Sequence, residues 1–341
     1  TESLAARIVE TICAPFHIDG NAIEIGTSVG ITLAPRDGAD AERLIKNADL
    51  ALYRAKSAGR RGYAFFETEM HEQFESRRSL ETDLRRALAE ETLELLYQPI
   101  FCLESEQVTG LEAQVRWDHP ERGPIAADEL MAIAEETGLI NELGEWALQG
   151  ACAQAARWPE HINITINVSA LQFLKRNLIE SALQALAQSG LSPSRLELEI
   201  TEGVLLQESR NTLAMLHQLR QLGVRVAMDD FGTGTCSLTN LRAFPFDRIK
   251  IDNAFISEAQ SGDGARTIMQ SVIALGKSLG MTNVALGIES FEQLSVMRSC
   301  GCEQAQGFLL SPPVPAAYVE DLLGERTVNL PRAVRTLMQL N

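Results

Sequence analysis

In VRVAMDDFGTGTCSL, residues 224–238, an apolar run gives way to two adjacent carboxylates, Asp229 and Asp230. The run is short and rich in valine, the composition of a strand buried on both faces of a parallel sheet. Gly232 and Gly234 then let the backbone turn sharply. The spacing therefore predicts paired acids at the C-terminal end of a buried strand, where α/β barrels carry out their chemistry. Adjacent carboxylates repel, and one or two divalent metals are the simplest compensation. Asp and Gly are also ordinary turn residues, so on this stretch alone a plain turn explains the pattern about as well.

The flanking sequence repeats the strand pattern. Buried-strand runs occur at Leu95–Ile100, Val108–Trp117, Ile162–Val168, Leu196–Ile200, Arg248–Ile251, Val284–Leu286 and Glu303–Gln306. Helical periodicity lies between them, at Ala127–Thr137, Glu142–Trp158, Asn177–Ser189, Asn211–Leu222 and Ala265–Leu279. With Val224–Met228 the alternation predicts an α/β fold, a (β/α)8 TIM-like barrel. Only Leu103–Gln107 joins the first two strands, which favours a hairpin and an antiparallel first strand. Most strands deliver a polar residue at or just past the C-terminal end: Glu112, Asn167, Glu199 with Glu202, Asp229 with Asp230, Lys250 with Asp252, and Gln306. Any one could be a cap. A ring of oxygen donors at one barrel mouth is harder to ascribe to capping.

The chain has 341 residues, 45% hydrophobic and 22% charged, enough for about two domains with sizeable cores. A net charge of −16 argues against a nucleic-acid polymer or an acidic membrane surface as partner. No apolar run has the length of a membrane span and no signal peptide opens the chain, so a cytoplasmic location is expected, with tethering possible in a longer protein. The cysteines, Cys13, Cys102, Cys152, Cys236, Cys300 and Cys302, form no paired ligand set and are read as reduced thiols. Cys236 has no histidine beside it in sequence, which argues against a thiol nucleophile.

Residues 2–14 read as a helix, His17–Asn21 as a hairpin turn, 22–34 as a run toward a buried strand, 41–59 as a helix stopped at Gly59, and 63–67 as a closing strand. Residues 69–92 read as a charged linker helix with a thin apolar stripe, Met70, Phe74, Leu80, Leu84 and Leu88. Either a solvated connector or a signalling helix suits it.

Residues 93–325 resemble the EAL domain, the cyclic-di-GMP phosphodiesterase and receptor family. The resemblance rests on Tyr97-Gln98-Pro99-Ile100, Glu112-Ala113-Gln114-Val115-Arg116-Trp117, Ala134–Ile140, Asn167-Val168-Ser169, Glu199-Ile200-Thr201-Glu202, Asp229–Gly234, Lys250-Ile251-Asp252 and Gln306-Gly307-Phe308, in family order. Residues 1–68 resemble the C-terminal half of a GGDEF (diguanylate cyclase) domain, through Ser28–Ile31, Ala48–Lys56 and Gly59-Arg60. The signature GGDEF loop is absent, so no cyclase activity is expected of this half. Residues 326–341 are left as a tail.

The resemblance implies roles. Glu112, Asn167, Glu199, Asp229 and Asp230 match ligands of a Mg2+ or Mn2+ centre, Lys250 a lysine by the attacking water and phosphate, and Arg116 a phosphate-binding arginine. Gln98 matches a guanine contact, Gln306 a polar group at the site, and Glu202 the glutamate that holds the aspartate loop. Cyclic-di-GMP is the implied ligand. A homodimer through residues 236–256 and an upstream sensor or GGDEF domain are the implied partners.

The chain departs from the family where the seventh strand should end in EGxE. Here it reads Leu286-Gly287-Ile288-Glu289, so leucine replaces an acid assigned to the metal centre and to general-base work. Gln114 replaces the leucine of EAL, Thr235-Cys236 an aromatic-Ser pair, and Ser311 precedes Pro312-Pro313 without the usual basic residue. The expectation is a degenerate phosphodiesterase acting as a cyclic-di-GMP receptor or regulator. An active metal-dependent phosphodiesterase yielding linear pGpG, or a scaffold that binds nothing, are the alternatives.

Overall fold

The computed structural model describes residues 1–18, 21–23, 25–57, 61–174, 178–201, 203–204, 210–232, 244–259 and 262–324. Glu202, Gly59, Arg60, Cys236, the stretch 236–243 of 236–256 and the tail from 326 lie outside the described residues. The chain divides into two compact units, Thr1–Leu84 and Arg85–Asn341.

In the first unit β1 (Phe16–Ile18) and β2 (Asn21–Ile23) form an antiparallel hairpin. The strand expected over 22–34 is split: β2 ends at Ile23 and β3 covers only Val29–Ile31, which pairs in parallel with β4 (Tyr63–Phe65). Helix Ala41–Ser57 lies so close to β3 that a Cβ at Gly30 would sit 2.1 Å from the Ala48 carbonyl oxygen. Leu50, Ala51, Phe66 and Met70 make the small core, with Phe74 packed on it. The linker helix expected over 69–92 spans Glu69–Ala89.

The second unit is the barrel. β5 (Glu94–Cys102) and β6 (Val108–His119) are antiparallel, as the short connection requires. β7 (Gly123–Ile125) folds back on β6. Then β8 (Asn163–Asn167), β9 (Leu196–Thr201), β10 (Arg225–Phe231), β11 (Arg248–Ile251), β12 (Thr282–Ala285) and β13 (Gln304–Ala305) follow in parallel. β13 pairs antiparallel with β5 and closes the ring, and β14 (Val314–Pro315) adds to the same strand. β7, β14 and the helices Asn253–Ala259, Phe291–Ser299 and Ala316–Gly324 were not anticipated from periodicity; each is short.

The main core is the layer between barrel and outer helices, with Leu111, Ile164, Leu198, Val226 and Ile249 all fully buried. Side chains alternate across a strand, so the neighbours of these residues face the barrel interior. The interior is polar for a barrel core: Thr165, Glu197, Arg248 and, nearer the mouth, Glu112, Glu199, Lys250 and Gln306 are buried. Arg248 and Glu197 pair at 2.7 Å, with Thr165 donating to the same carboxylate. No described helix is long and apolar enough to cross a membrane.

Candidate functional site

The barrel mouth gathers nearly all the described acids and amides singled out from sequence. Lys250 is the centre. Its Nζ donates to Glu199 Oε2 at 2.5 Å and Glu112 Oε2 at 2.9 Å, and lies 3.8 Å from Asp229 Oδ1. Asn167 Nδ2 donates to Glu112 Oε1 at 2.9 Å. Gln306 Nε2 donates to Glu112 Oε2 at 2.8 Å and to Gln98 Oε1 at 3.1 Å.

Strand geometry explains this convergence. Lys250 registers with Val284 in β12, so alternation turns Leu286, next on that face, into the same mouth. On the other side of β11 the ladder slips: Met228 pairs with Ile249 but Phe231 with Ile251, leaving Asp229 and Asp230 opposite Lys250 alone. This is a β-bulge, and Asp230 takes it up with φ +53°, a conformation open to Asp at modest cost. The bulge delivers both carboxylates to one place. Asp-Asp-Phe-Gly was legible as a strand end, but not as a bulge.

One ammonium faces a surplus of negative charge. Burial penalises the Lys250 cation, yet Glu112, Glu199 and Asp229 together hold it protonated far beyond its ordinary range. Burial would also raise the Glu112 carboxyl; Lys250, helped by Gln306 and Asn167, outweighs it and holds the group below its ordinary value. Glu199 goes the other way: burial, with repulsion from Glu112 and Asp229, wins over Lys250 and lifts it well above the carboxylate range. Asp230 rises to about 6, through burial first and then Asp229 and Asp252.

Three buried acceptors here, Glu199 Oε1, Asp229 Oδ1 and Gln306 Oε1, have no hydrogen-bond partner. Buried oxygens are seldom left so, and a cation is one way to satisfy them. Carboxylate and amide oxygens are the donor set of a hard divalent ion. Among the described residues, however, no three His, Cys, Asp or Glu side chains are already gathered as a metal cage. The ammonium of Lys250 draws the carboxylates to itself. The donors fit a cation in kind, with leucine at one place in their ring.

Two cavities open at the mouth. The smaller, about 240 Å3, is lined by Gln98, Glu112, Gln114, Asp229, Lys250, Leu286, Gln306 and Phe308, so Leu286 shares a wall with the acids. The larger, about 540 Å3, shares Glu112, Gln114 and Asp229 and adds Asn167, Glu199, Asp230, Glu135 and Ser169 over an apolar floor that includes Leu130, Met131 and Leu143. Ser169 Oγ donates to Glu135 Oε1 at 2.6 Å, joining the stretches Ala134–Ile140 and Asn167-Val168-Ser169.

Arg116 stands apart from this group. It is exposed, its Nε donates to both carboxylate oxygens of Asp118 (3.0 and 2.9 Å), and it lines neither cavity. Glu289 is also exposed, though it reaches the rim of the smaller cavity. Gln114, which stands where the family has leucine, donates its Nε2 to Gln98 Oε1 at 3.1 Å. Sequence periodicity could not have revealed that bond, because the partner sits on another strand.

Comparison with known proteins agrees with this geometry. The family profile of the EAL domain matches residues 81–313, and that of the diguanylate cyclase GGDEF domain matches residues 1–62. The chain is 45% identical, over 92% of its length and 39% of the relative's, to an uncharacterized signalling protein of Caulobacter vibrioides. It is 40% identical to the bifunctional diguanylate cyclase/cyclic di-GMP phosphodiesterase MucR of Pseudomonas aeruginosa, over 92% of this chain and 46% of that protein. The solved structure of the MucR phosphodiesterase in complex with c-di-GMP superimposes with a TM-score of 0.67 at 39% identity, covering 71% of this chain and 99% of that one. The chain thus spans less than half the length of these curated relatives.

Proposed function

We propose a function from one premise: this chain belongs to the EAL-domain family. In our reading its barrel is a cyclic-di-GMP signalling module with impaired hydrolysis, which serves as a receptor or regulator. The ligand class is supported by MucR, a named diguanylate cyclase/cyclic di-GMP phosphodiesterase whose phosphodiesterase is solved in complex with c-di-GMP. The observation that carries the impairment is Leu286, an apolar wall in the cavity that also holds Glu112, Asp229 and Lys250. Leucine neither ligates a metal nor accepts a proton, and general-base catalysis alone contributes about 10²–10⁴ in rate.

Glu112, Asn167, Glu199, Asp229 and Asp230 are the residues that would hold Mg2+ or Mn2+, the orphaned oxygens of Glu199 and Asp229 among them. A bound ion supplies Lewis acidity and a more acidic water. The chain's own residues do the rest. Lys250 keeps a full positive charge deep in the site and offsets charge on a phosphodiester. Gln98 and Gln306 present amides to a base. Arg116 reaches a phosphate by exchanging Asp118 for it, at small cost because an exposed pair contributes at most about 1 kcal/mol. Glu202 as the anchor of the aspartate loop, a homodimer through 236–256, and an upstream sensor or GGDEF partner belong to the same proposal.

An active phosphodiesterase has one observation in its favour, since the other candidate donors converge on Lys250. A turnover assay with Mg2+ and Mn2+ separates the readings. The receptor reading expects binding of cyclic-di-GMP by calorimetry in Ca2+ and hydrolysis at least 100-fold below an intact family barrel. Equal rates would overturn it.

A further inference from the structure

Gln98 is clamped on three sides. Its Nε2 donates to the backbone carbonyl of Ser311 at 3.1 Å. A backbone carbonyl only accepts, so the amide nitrogen must face Ser311 and the oxygen must face the opposite way. On that side Oε1 receives Gln306 Nε2 and Gln114 Nε2, each at 3.1 Å. Gln306 is oriented in turn by Glu112, whose carboxylate accepts from it at 2.8 Å. The polarity of this network is therefore fixed at both ends by groups that cannot reverse. Gln98 Oε1 has both lone pairs engaged, and the second hydrogen on Nε2 is what Gln98 can still offer.

We propose that Gln114 is a positioning residue that sets base selectivity, by holding the Gln98 carboxamide so that it meets a ligand only as a donor. The inference rests on the cyclic-dinucleotide reading above. Gln114 is well placed for this: it lines both cavities and so stands at the wall they share. A fixed donor favours a purine edge made only of acceptors. Guanine offers O6 and N7 there, whereas adenine sets its N6 amino donors beside N7. Leucine at this position would leave Gln98 Oε1 with Gln306 as its one donor, and the freed lone pair could accept from the adenine amino group.

The test measures affinity of the whole chain for cyclic-di-GMP and cyclic-di-AMP, in Ca2+. Gln114→Leu removes the donor at similar volume and should lower the guanine-to-adenine affinity ratio about 3-fold, the loss of one hydrogen bond. Gln114→Glu sets an acceptor against Gln98 Oε1, favours the flipped amide and should lower the ratio about 10-fold or more. In a Gln98→Ala background neither substitution should move the ratio, since Gln114 acts through Gln98. The melting temperature of each variant separates this from loss of fold. Wild-type chain that binds cyclic-di-GMP, with a ratio unmoved by both substitutions, overturns the inference alone. Wild-type chain that binds neither dinucleotide overturns it together with the reading on which it rests.

Discussion

Lys250 Nζ lies 2.5 Å from Glu199 Oε2 inside the barrel, with side-chain exposures of 1% and 0%. Neither partner has water to fall back on. Removing one member of a buried pair typically costs about 3–5 kcal/mol, because the other is left charged and dry. Here the cost has an unusual form, since Glu112 and Asp229 depend on the same ammonium. Lys250→Met should lower unfolding stability by about 3–5 kcal/mol in metal-free buffer. Millimolar Mn2+ should return part of that loss, by supplying the missing cation to the same oxygens. Denaturant unfolding with and without Mn2+ checks both halves. No recovery with Mn2+ would mean the oxygens cannot close around an ion.

Deeper in the barrel, Arg248 and Glu197 form a second buried pair at 2.7 Å, away from both cavities. Its Arg248 Nε finds no acceptor, so the pair is incompletely satisfied. A buried pair of this kind is weak evidence of net stabilisation, whereas half of one is clearly harmful. Glu197→Leu alone should destabilise by about 3–5 kcal/mol. Glu197→Leu with Arg248→Met should recover most of it, and ligand affinity should be unaffected in the double variant. Chemical denaturation of the single and double variants measures the difference.

Gly307 follows Gln306 at φ +159°, and a Cβ there would lie 2.2 Å from both the backbone nitrogen and oxygen of Ile288. Backbone atoms cannot swing aside as a side-chain tip can. The contact is made where Ile288 N donates to Gln306 O at 3.0 Å, between the ends of β12 and β13. Gly307→Ala should therefore push these ends apart, cost about 1–3 kcal/mol as an overpacking change, and weaken ligand binding by displacing Gln306. A melting curve and a calorimetric titration on the same sample test it. Unchanged binding would show that the Gln306 amide is held by Glu112 and Gln98 alone.

Most of the barrel could be read along the chain because buried strands and amphipathic helices differ in period. Val224–Met228 is a largely apolar run and Arg248–Ile251 an alternating one, both too short to be helices, and both form strands. The antiparallel entry of β5 followed from the length of its connection to β6. Elements too short to show a period were missed, as with β7 and β14. At the site, which residues converge was legible from their place at strand ends. What they do to each other was not. The bulge at Asp230, the Asp118 partner of Arg116 and the bond from Gln114 to Gln98 are set by neighbours distant in sequence or by backbone detail.

Leu286 is the position where a single side chain changes the chemistry of the mouth. Its backbone is fixed: Leu286 N donates to Ile251 O at 2.9 Å, and the following turn is tied down by Gln293, whose Oε1 accepts from Glu289 N and Ser290 N. Gln293 is held in turn by the capping box with Ser290. A substituted side chain would therefore enter the cavity beside Asp229 and Lys250 from a defined point. Leu286→Glu adds a carboxylate to a group already rich in them, so without a cation it should lower stability by about 1–3 kcal/mol through repulsion and burial. With Mn2+ the sign should reverse, because the added oxygen completes the donor ring. The expected result is a melting temperature that rises with Mn2+ more steeply in the variant than in the wild type, and Mn2+-dependent hydrolysis of cyclic-di-GMP gained by at least 10-fold. A variant that binds Mn2+ more tightly yet gains no turnover would place the defect elsewhere, with Gln114 the next residue to revert.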